Sequence, residues 1–206
     1  MSPGFELEDN LFQQGTQYIA GLDEVGRGCL AGPVAAGLVV FSPEIDRTLL
    51  VDINDSKKLS SSKREFLSDL IYKHALVAEV AIAESDEIDQ IGIVGATKLA
   101  MKRCIENSLI TPQHLLVDAI KLDEFNIPYS AIIKGDQIST SIAAASIIAK
   151  VFRDQLMIAL DQKYLGYGLA NHKGYGTKLH LEAIHNKGVS NIHRKSFEPV
   201  KSILEK

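Results

Sequence analysis

The feature that most restricts the fold is the short distance between the first two apolar runs. "QYIAGLD", residues 17–23, and "PVAAGLVVF", residues 33–41, both read as buried strands. Only residues 24–32 separate them. A parallel pair needs a crossover of about a dozen residues or more, usually a helix, so these two strands must run antiparallel. Three further runs read as strands: "LVAEVAIA" (76–83), "HLLVDAI" (114–120) and "YSAIIKGD" (129–136). Between and after them lie helical patterns. Ser62 and Glu65 form a capping-box spacing that starts a helix running to about His74. An amphipathic helix is expected from about Ile93 to Asn107, and a long one over "STSIAAASIIAKVFRDQLMIALDQKYL", capped by Ser139 or Thr140. "GTKLHLEAIHNKG" reads as a helix stopped by Gly188, and a short helix ends the chain. The expectation is an α/β fold: a mixed central sheet of about five strands flanked by helices, with a C-terminal helical segment. No repeat or low-complexity linker interrupts the chain. One domain is therefore expected over 1–206, with the sheet and its helices at about 17–165 and a helical segment at about 166–206.

Composition narrows the functional classes. Hydrophobic residues make up 46% and charged residues 23% of 206 positions, enough apolar material for a core without disulfide or metal staples. Cys29 and Cys104 are too few for a metal-binding spacing, and a reduced, cytoplasmic chain is expected. The acidic start "MSPGFELEDNLFQQG" has no apolar signal core, and no run reaches the roughly 18 residues of a membrane helix. The net charge of -4 does not advertise a nucleic-acid binder, but its distribution is uneven. Residues 171–206 hold seven Lys or Arg against three Glu, and "DSKKLSSSKR" (55–64) forms a second basic cluster. Local basic faces bind phosphates whatever the total charge.

"GLDEVGRGCLAGP", Gly21 to Pro33, comes close to a dinucleotide-binding fingerprint and fails it. The third glycine falls one place late, and Pro33 and a Val/Ala-rich strand follow where a helix should open. The carboxylates fit a different chemistry. Asp23, Asp118 and Asp136 each end an apolar run, where an unpaired charge is costly. Neighbouring strands would bring them to one edge, and hard divalent cations take oxygen ligands of this kind. Glu24 is a fourth donor only if the strand ends there, because adjacent strand residues face opposite ways. Four such acids suit two divalent ions about 4 Å apart, as in phosphoryl-transfer sites.

Seven segments in order then resemble one family: "DEVGRG", "NDSKKLS", "VDAIKLD", "IIKGDQ", "AAASIIAKVFRD", "HKGYGTKLHLEAI" and "HRKSFEPV". Together they span Gly21 to Val200 and are similar to bacterial ribonuclease HII, of the type 2 ribonuclease H family. The resemblance implies an RNase H-like fold. It also implies a metal-dependent endonuclease acting on the RNA strand of RNA–DNA hybrids and on single ribonucleotides embedded in duplex DNA. Asp23, Glu24, Asp118 and Asp136 match the family's four catalytic acids, which hold two Mg²⁺ or Mn²⁺ ions, Asp23 being the candidate to bridge them. Gly26, Arg27 and Gly28 match a loop that inspects the ribose 2′-hydroxyl through backbone groups, and Tyr175 matches a tyrosine on the same sugar. Ser56 and Lys57 match a phosphate-holding segment, while Lys134, Ser146, Lys150 and Arg153 sit in matching motifs as supports or phosphate contacts. Cleavage 5′ of the ribonucleotide would leave 3′-hydroxyl and 5′-phosphate ends. Ala119 stands where many relatives have glycine. No tail suited to a sliding clamp is evident, no membrane partner is expected, and a monomer is the expected state.

Overall fold

In the computed structural model, which describes residues 2–205, the short first connection has the expected result. Strands β1 (Ile19–Val25) and β2 (Val34–Val40) pair antiparallel, and β3 (Val77–Ala83) continues antiparallel beyond β2. On the other side, β4 (His114–Asp118) and β5 (Tyr129–Ile132) join as parallel neighbours. The order β3-β2-β1-β4-β5 makes the five-stranded mixed sheet that the strand spacing predicts.

Helices cover both faces. α1 (Glu6–Gln13), a short helix not anticipated above, precedes the sheet; α2 (Ser61–His74), α3 (Ser85–Asn107) and α4 (Thr140–Lys163) follow. α5 (Leu169–His172), α6 (Lys178–Lys187) and α7 (Val200–Leu204) form the C-terminal segment. Burial decides the sheet-facing sides. Ala20, Leu22, Leu38 and Val117 pack with Ala96, Ala100 and Met101 of α3, while Val39 packs with Ala143–Ala145 of α4 on the opposite face. The alanines let α4 lie against the strands, and at Gly21 even a Cβ would come within 2.1 Å of the Ser141 backbone. A third cluster ties Leu30, Ala31 and Met157 to Tyr167, Leu169 and Ile184, so the C-terminal segment rests on the loop after β1 and on the end of α4.

Three boundaries differ from expectation for local reasons. α2 is capped by Ser60, whose hydroxyl accepts from the Lys63 amide at 3.3 Å, so the Ser62–Glu65 spacing is not the start signal. α3 begins eight residues earlier than expected, at Ser85 against Ile93, because Glu84 and Glu87 form the capping box and the helix then breaks at Gly92 (φ 73°) before continuing. β5 stops at Ile132 rather than reaching Asp136; Lys134 adopts left-handed backbone (φ 59°) and turns the chain into a single 3-10 turn, Gly135–Gln137. Ser139 caps α4 as expected, its hydroxyl accepting from Ile142 N at 3.2 Å. Cys29 and Cys104 are buried and unbonded to each other. Among the described residues no helix is long and apolar enough to cross a membrane.

Candidate active site

β1 outlasts its parallel neighbour. Pairing with β4 ends at Leu22 opposite Val117, while β1 continues to Val25. Asp23 and Glu24 therefore overhang an open notch beside Asp118, the last residue of β4. Alternation along β1 sends Asp23 toward α4, the helix that carries Ser146. Glu24 starts from the other face, but at this free edge it still lies close enough to Asp118 for their charges to repel. The Asp118 Oδ1 accepts from Gly135 N at 2.7 Å, which brings the turn holding Asp136 to the same rim.

Electrostatics show how tightly the acids are grouped. Burial pushes the Asp23 carboxyl well above the usual carboxylate range, and the charges of Glu24 and Asp118 push it further. Glu24 is also raised by burial and by Asp118, against the opposing pull of Arg27, which sits 3.2 Å away. Asp136 is raised by burial, then by Asp55 and Asp118. Asp118 is the acid whose charge all three others feel.

The donor set fits hard divalent cations. Asp23, Glu24, Asp118 and Asp136 all offer carboxylate oxygens, and the Glu24 Oε2 is buried without a hydrogen-bond partner. Among the described residues the side chains do not form a closed cage of three or more metal-ligating groups. Three of the four acids are instead satisfied by protein groups: Glu24 by Arg27, Asp118 by the Gly135 amide and Asp23 by the Glu24 amide at 2.7 Å. Cations bound among the acids would offset the repulsion that raises them.

A cleft of about 330 Å³, with Asp23 and Glu24 in its wall, opens between the 26–28 loop, Lys57, Lys150 and Tyr175. Gly26 has φ 94°, and a Cβ there would stand 2.2 Å from the Arg153 Nε, so the loop needs glycine to seat on that arginine. At Gly28 a Cβ would meet nothing within 4 Å, so the fold itself does not require glycine there. The Arg27 side chain is exposed and turned to Glu24. Tyr175 is 42% exposed, its backbone bridged to Cys29, with Lys150 Nζ 6.0 Å from its ring centre. The tyrosine expected beside the loop thus shares the cleft with it.

The phosphate candidates separate into exposed and buried groups. Lys57 and Lys134 are exposed, and Lys150 lines the cleft while donating to Asp154 at 2.7 Å. Ser56 and Ser146 are almost fully buried and hydrogen-bond each other at 3.0 Å. Arg153 must be withdrawn as a phosphate contact. It is 0% exposed, and its guanidinium donates to the carbonyls of Pro33, Lys173 and Ala31 at 2.9, 2.9 and 3.2 Å. Its role is internal support.

Two residues at the site were not singled out from the sequence. Asp55 is buried near Asp136 and accepts from the Lys57 amide at 3.0 Å, so it orients the Ser56–Lys58 turn. An Asp directly before Ser-Lys-Lys is a cap signal that could have been read. Arg194, fully buried, donates to the carbonyls of Gly26 and Arg27, and no local pattern announces a buried cation.

A family model described as Ribonuclease HII matches residues 20–200. The ribonuclease HII of Dehalococcoides mccartyi is 48% identical over 203 residues, covering 98% of this chain and 96% of its own. The chain belongs to the ribonuclease HII family. It is a ribonuclease H, a nuclease and hydrolase, as the seven motifs led one to expect. The solved ribonuclease H2 from Pyrococcus horikoshii OT3 aligns at a TM-score of 0.77 with 28% identity over 91% of this chain and 97% of that one. Bst-RNase HIII, solved in complex with Mn²⁺, has the same fold at a TM-score of 0.71 and 20% identity, covering 94% of this chain and 71% of that one. The ribonuclease HII fold and its mixed sheet are therefore those of ribonucleases H.

Proposed function

We propose that this ribonuclease HII cuts the RNA strand of RNA–DNA hybrids and the strand 5′ of a single ribonucleotide in duplex DNA, leaving 3′-hydroxyl and 5′-phosphate ends. What supports the reading is that Asp118 is felt by Asp23, Glu24 and Asp136 alike, while Asp23 and Glu24 share a cleft with the glycine loop and Tyr175. In this reading the four acids hold two Mg²⁺ or Mn²⁺ ions. When bound, such ions acidify a water and neutralise charge on the departing oxygen. The water oxygen adds to phosphorus as the P–O3′ bond breaks, and the 3′ oxygen leaves with a proton.

The remaining roles belong to the chain's own groups. The carboxylates of Asp23 and Glu24, already poorly solvated, bind cations in exchange for protons. Backbone groups of residues 26–28 meet the 2′-hydroxyl, the one group that separates RNA from DNA. The open space above Gly28 admits a sugar. Tyr175 offers a flat face and a hydroxyl to that same sugar. Lys57, Lys134 and Lys150 hold phosphates, with the C-terminal segment, about 166–206 of a single 1–206 domain, gripping the duplex. Affinity then falls steeply with salt.

One gel tests the reading: a duplex with a single ribonucleotide and its all-DNA twin, each with Mg²⁺, with Mn²⁺ and with EDTA. Cleavage of the first alone, 5′ of the ribonucleotide and only with metal, is expected. Nicking of the all-DNA twin, or cleavage in EDTA, overturns it.

A further inference from the structure

Two arginines lie behind the 26–33 loop, and neither faces a carboxylate. Arg153 and Arg194 are both 0% exposed, and no ion pair with either occurs among the described residues. A buried cation without a counter-ion is expensive, and it persists where its hydrogen bonds are fully used. Arg194 donates through Nη2 to Gly26 O at 2.7 Å, Nη1 to Arg27 O at 2.7 Å and Nε to Gly32 O at 3.1 Å. The ring of Phe197 lies 5.1 Å from its guanidinium carbon. Burial lowers the Arg194 pKa to about 10, which still leaves it charged at neutral pH.

The consequence is directional. The only cis bond among the described residues is Glu198–Pro199, so the peptides after Gly26 and Arg27 are trans, with N–H opposite C=O. Pulling the Gly26 and Arg27 carbonyls inward to Arg194 turns the Arg27 and Gly28 amides outward, to the side of the loop that lines the cleft. Neither amide has an intramolecular acceptor among the described residues. The segment that carries Arg194 also spaces the loop from Tyr175. The Arg194 amide donates to Leu30 O at 2.8 Å, and Leu30 N donates to Gly174 O at 2.8 Å.

We propose that Arg194 is the positioning residue for ribose recognition: its guanidinium, rather than the exposed Arg27 side chain, holds the Arg27 and Gly28 amides as a pair of outward donors. The inference rests on the reading of residues 26–28 as the sugar-sensing loop. A planar fork serves three carbonyls at once, and a lysine ammonium at the end of a flexible stem cannot reproduce that plane.

The test compares wild type, Arg194→Lys, Arg194→Gly, Phe197→Leu and the remote α3 surface control Lys102→Ala in cleavage of the single-ribonucleotide duplex and of a long hybrid, with binding and melting measured alongside. The long hybrid offers the enzyme a 2′-hydroxyl at every register, whereas the single site demands one placement. For Arg194→Lys the expected result is a loss of about 100-fold in kcat on the single ribonucleotide, with a clearly smaller loss on the hybrid and KM within about threefold. Added guanidinium ion restores part of the activity of Arg194→Gly. Lys102→Ala, on the exposed side of α3, matches wild type. Equal losses on both substrates in proportion to a lowered melting temperature, with no guanidinium rescue, would show a purely structural brace and overturn the inference. Should Arg194→Lys fail to fold, Phe197→Leu decides in the same way: a selective loss on the single ribonucleotide supports the inference and unchanged selectivity ends it. A wild type that ignores the single-ribonucleotide duplex refutes the proposed function instead.

Discussion

The Gly135 amide donates to Asp118 Oδ1 at 2.7 Å, joining the end of β4 to the turn that carries Asp136. One hydrogen bond thus connects two acids from different elements. Asp118→Asn keeps an Oδ1 acceptor for that amide and removes only the charge. Cleavage should fall by about 10³-fold or more while hybrid affinity in EDTA and melting temperature stay near wild type. Gel-shift binding and a thermal melt beside the cleavage assay check it, and substantial turnover by the variant would remove Asp118 from the metal site.

The crowding of acids has a stability sign. Asp23, Glu24 and Asp136 bind their protons more tightly folded than unfolded, since burial and neighbouring acids raise all three. Metal-free stability is therefore highest at low pH with respect to these groups and declines as pH rises above the ordinary carboxylate range toward the raised values. Asp23→Asn should raise the melting temperature in EDTA at neutral pH by about 3 °C, equivalent to about 1 kcal/mol, while abolishing cleavage. In wild type, Mg²⁺ should raise the melting temperature at pH 8 and do little at pH 4. Melts at both pH values with and without Mg²⁺ provide the check; stabilisation by Mg²⁺ at pH 4 equal to that at pH 8 would contradict it.

The loop glycines should separate. Gly26→Ala forces a left-handed alanine and a contact with Arg153, so both stability and activity should drop, stability by about 2 kcal/mol or more. Gly28→Ala meets no protein atom, so it should melt with wild type yet cleave ribonucleotide substrates at least about tenfold more slowly. Parallel melts and rates on the two variants distinguish the outcomes.

Ala119 occupies left-handed backbone, φ 49°, one residue past Asp118. That conformation disfavours a Cβ by about 1–2 kcal/mol, and the extra chain entropy of glycine offsets part of the gain. Ala119→Gly should therefore stabilise the protein by about 0.5 kcal/mol in a denaturant titration and leave cleavage unchanged. A loss of stability would mean that the Ala119 methyl packs usefully.

Histidines under the Tyr175 loop respond to acid in the opposite direction from the carboxylates. His180 Nε2 lies 3.2 Å from His193 Nε2, and His172 stacks on His180 at 4.2 Å. Burial lowers the His180 pKa to about 4, and His193 is lowered too. Their contribution is complete above about pH 6.5, the unfolded value, and is lost as pH falls toward 4. For His180 alone this amounts to at most about 3 kcal/mol. The difference in melting temperature between wild type and His180→Gln should narrow on acidification from pH 7 to pH 4.5.

The five strands, the mixed character of the sheet and the longer helices were legible because they depend on local signals: short connections, apolar runs and caps. Asp118 could be read as a strand-end acid for the same reason, whereas β1 runs on past Asp23 to Val25. What the sequence concealed is tertiary. Arg153 and Arg194 look like surface cations, and only the packing of the 26–33 loop and the C-terminal segment makes them internal. α3 was read short because its start is capped by glutamates rather than Ser or Thr and its period is interrupted at Gly92. Asp136 was assigned to a strand because nothing in "IIKGD" reveals that Lys134 turns left-handed.

The parallel pairing of β1 with β4 has a consequence for biosynthesis. Every residue of β2, β3, α2 and α3 lies between those two strands in the chain. While the polypeptide emerges from the ribosome, Asp23 and Glu24 wait for Asp118 and then Asp136 to be translated before they have companions. A truncated or half-made product would carry the family's first motif and still be inert toward the cell's nucleic acids.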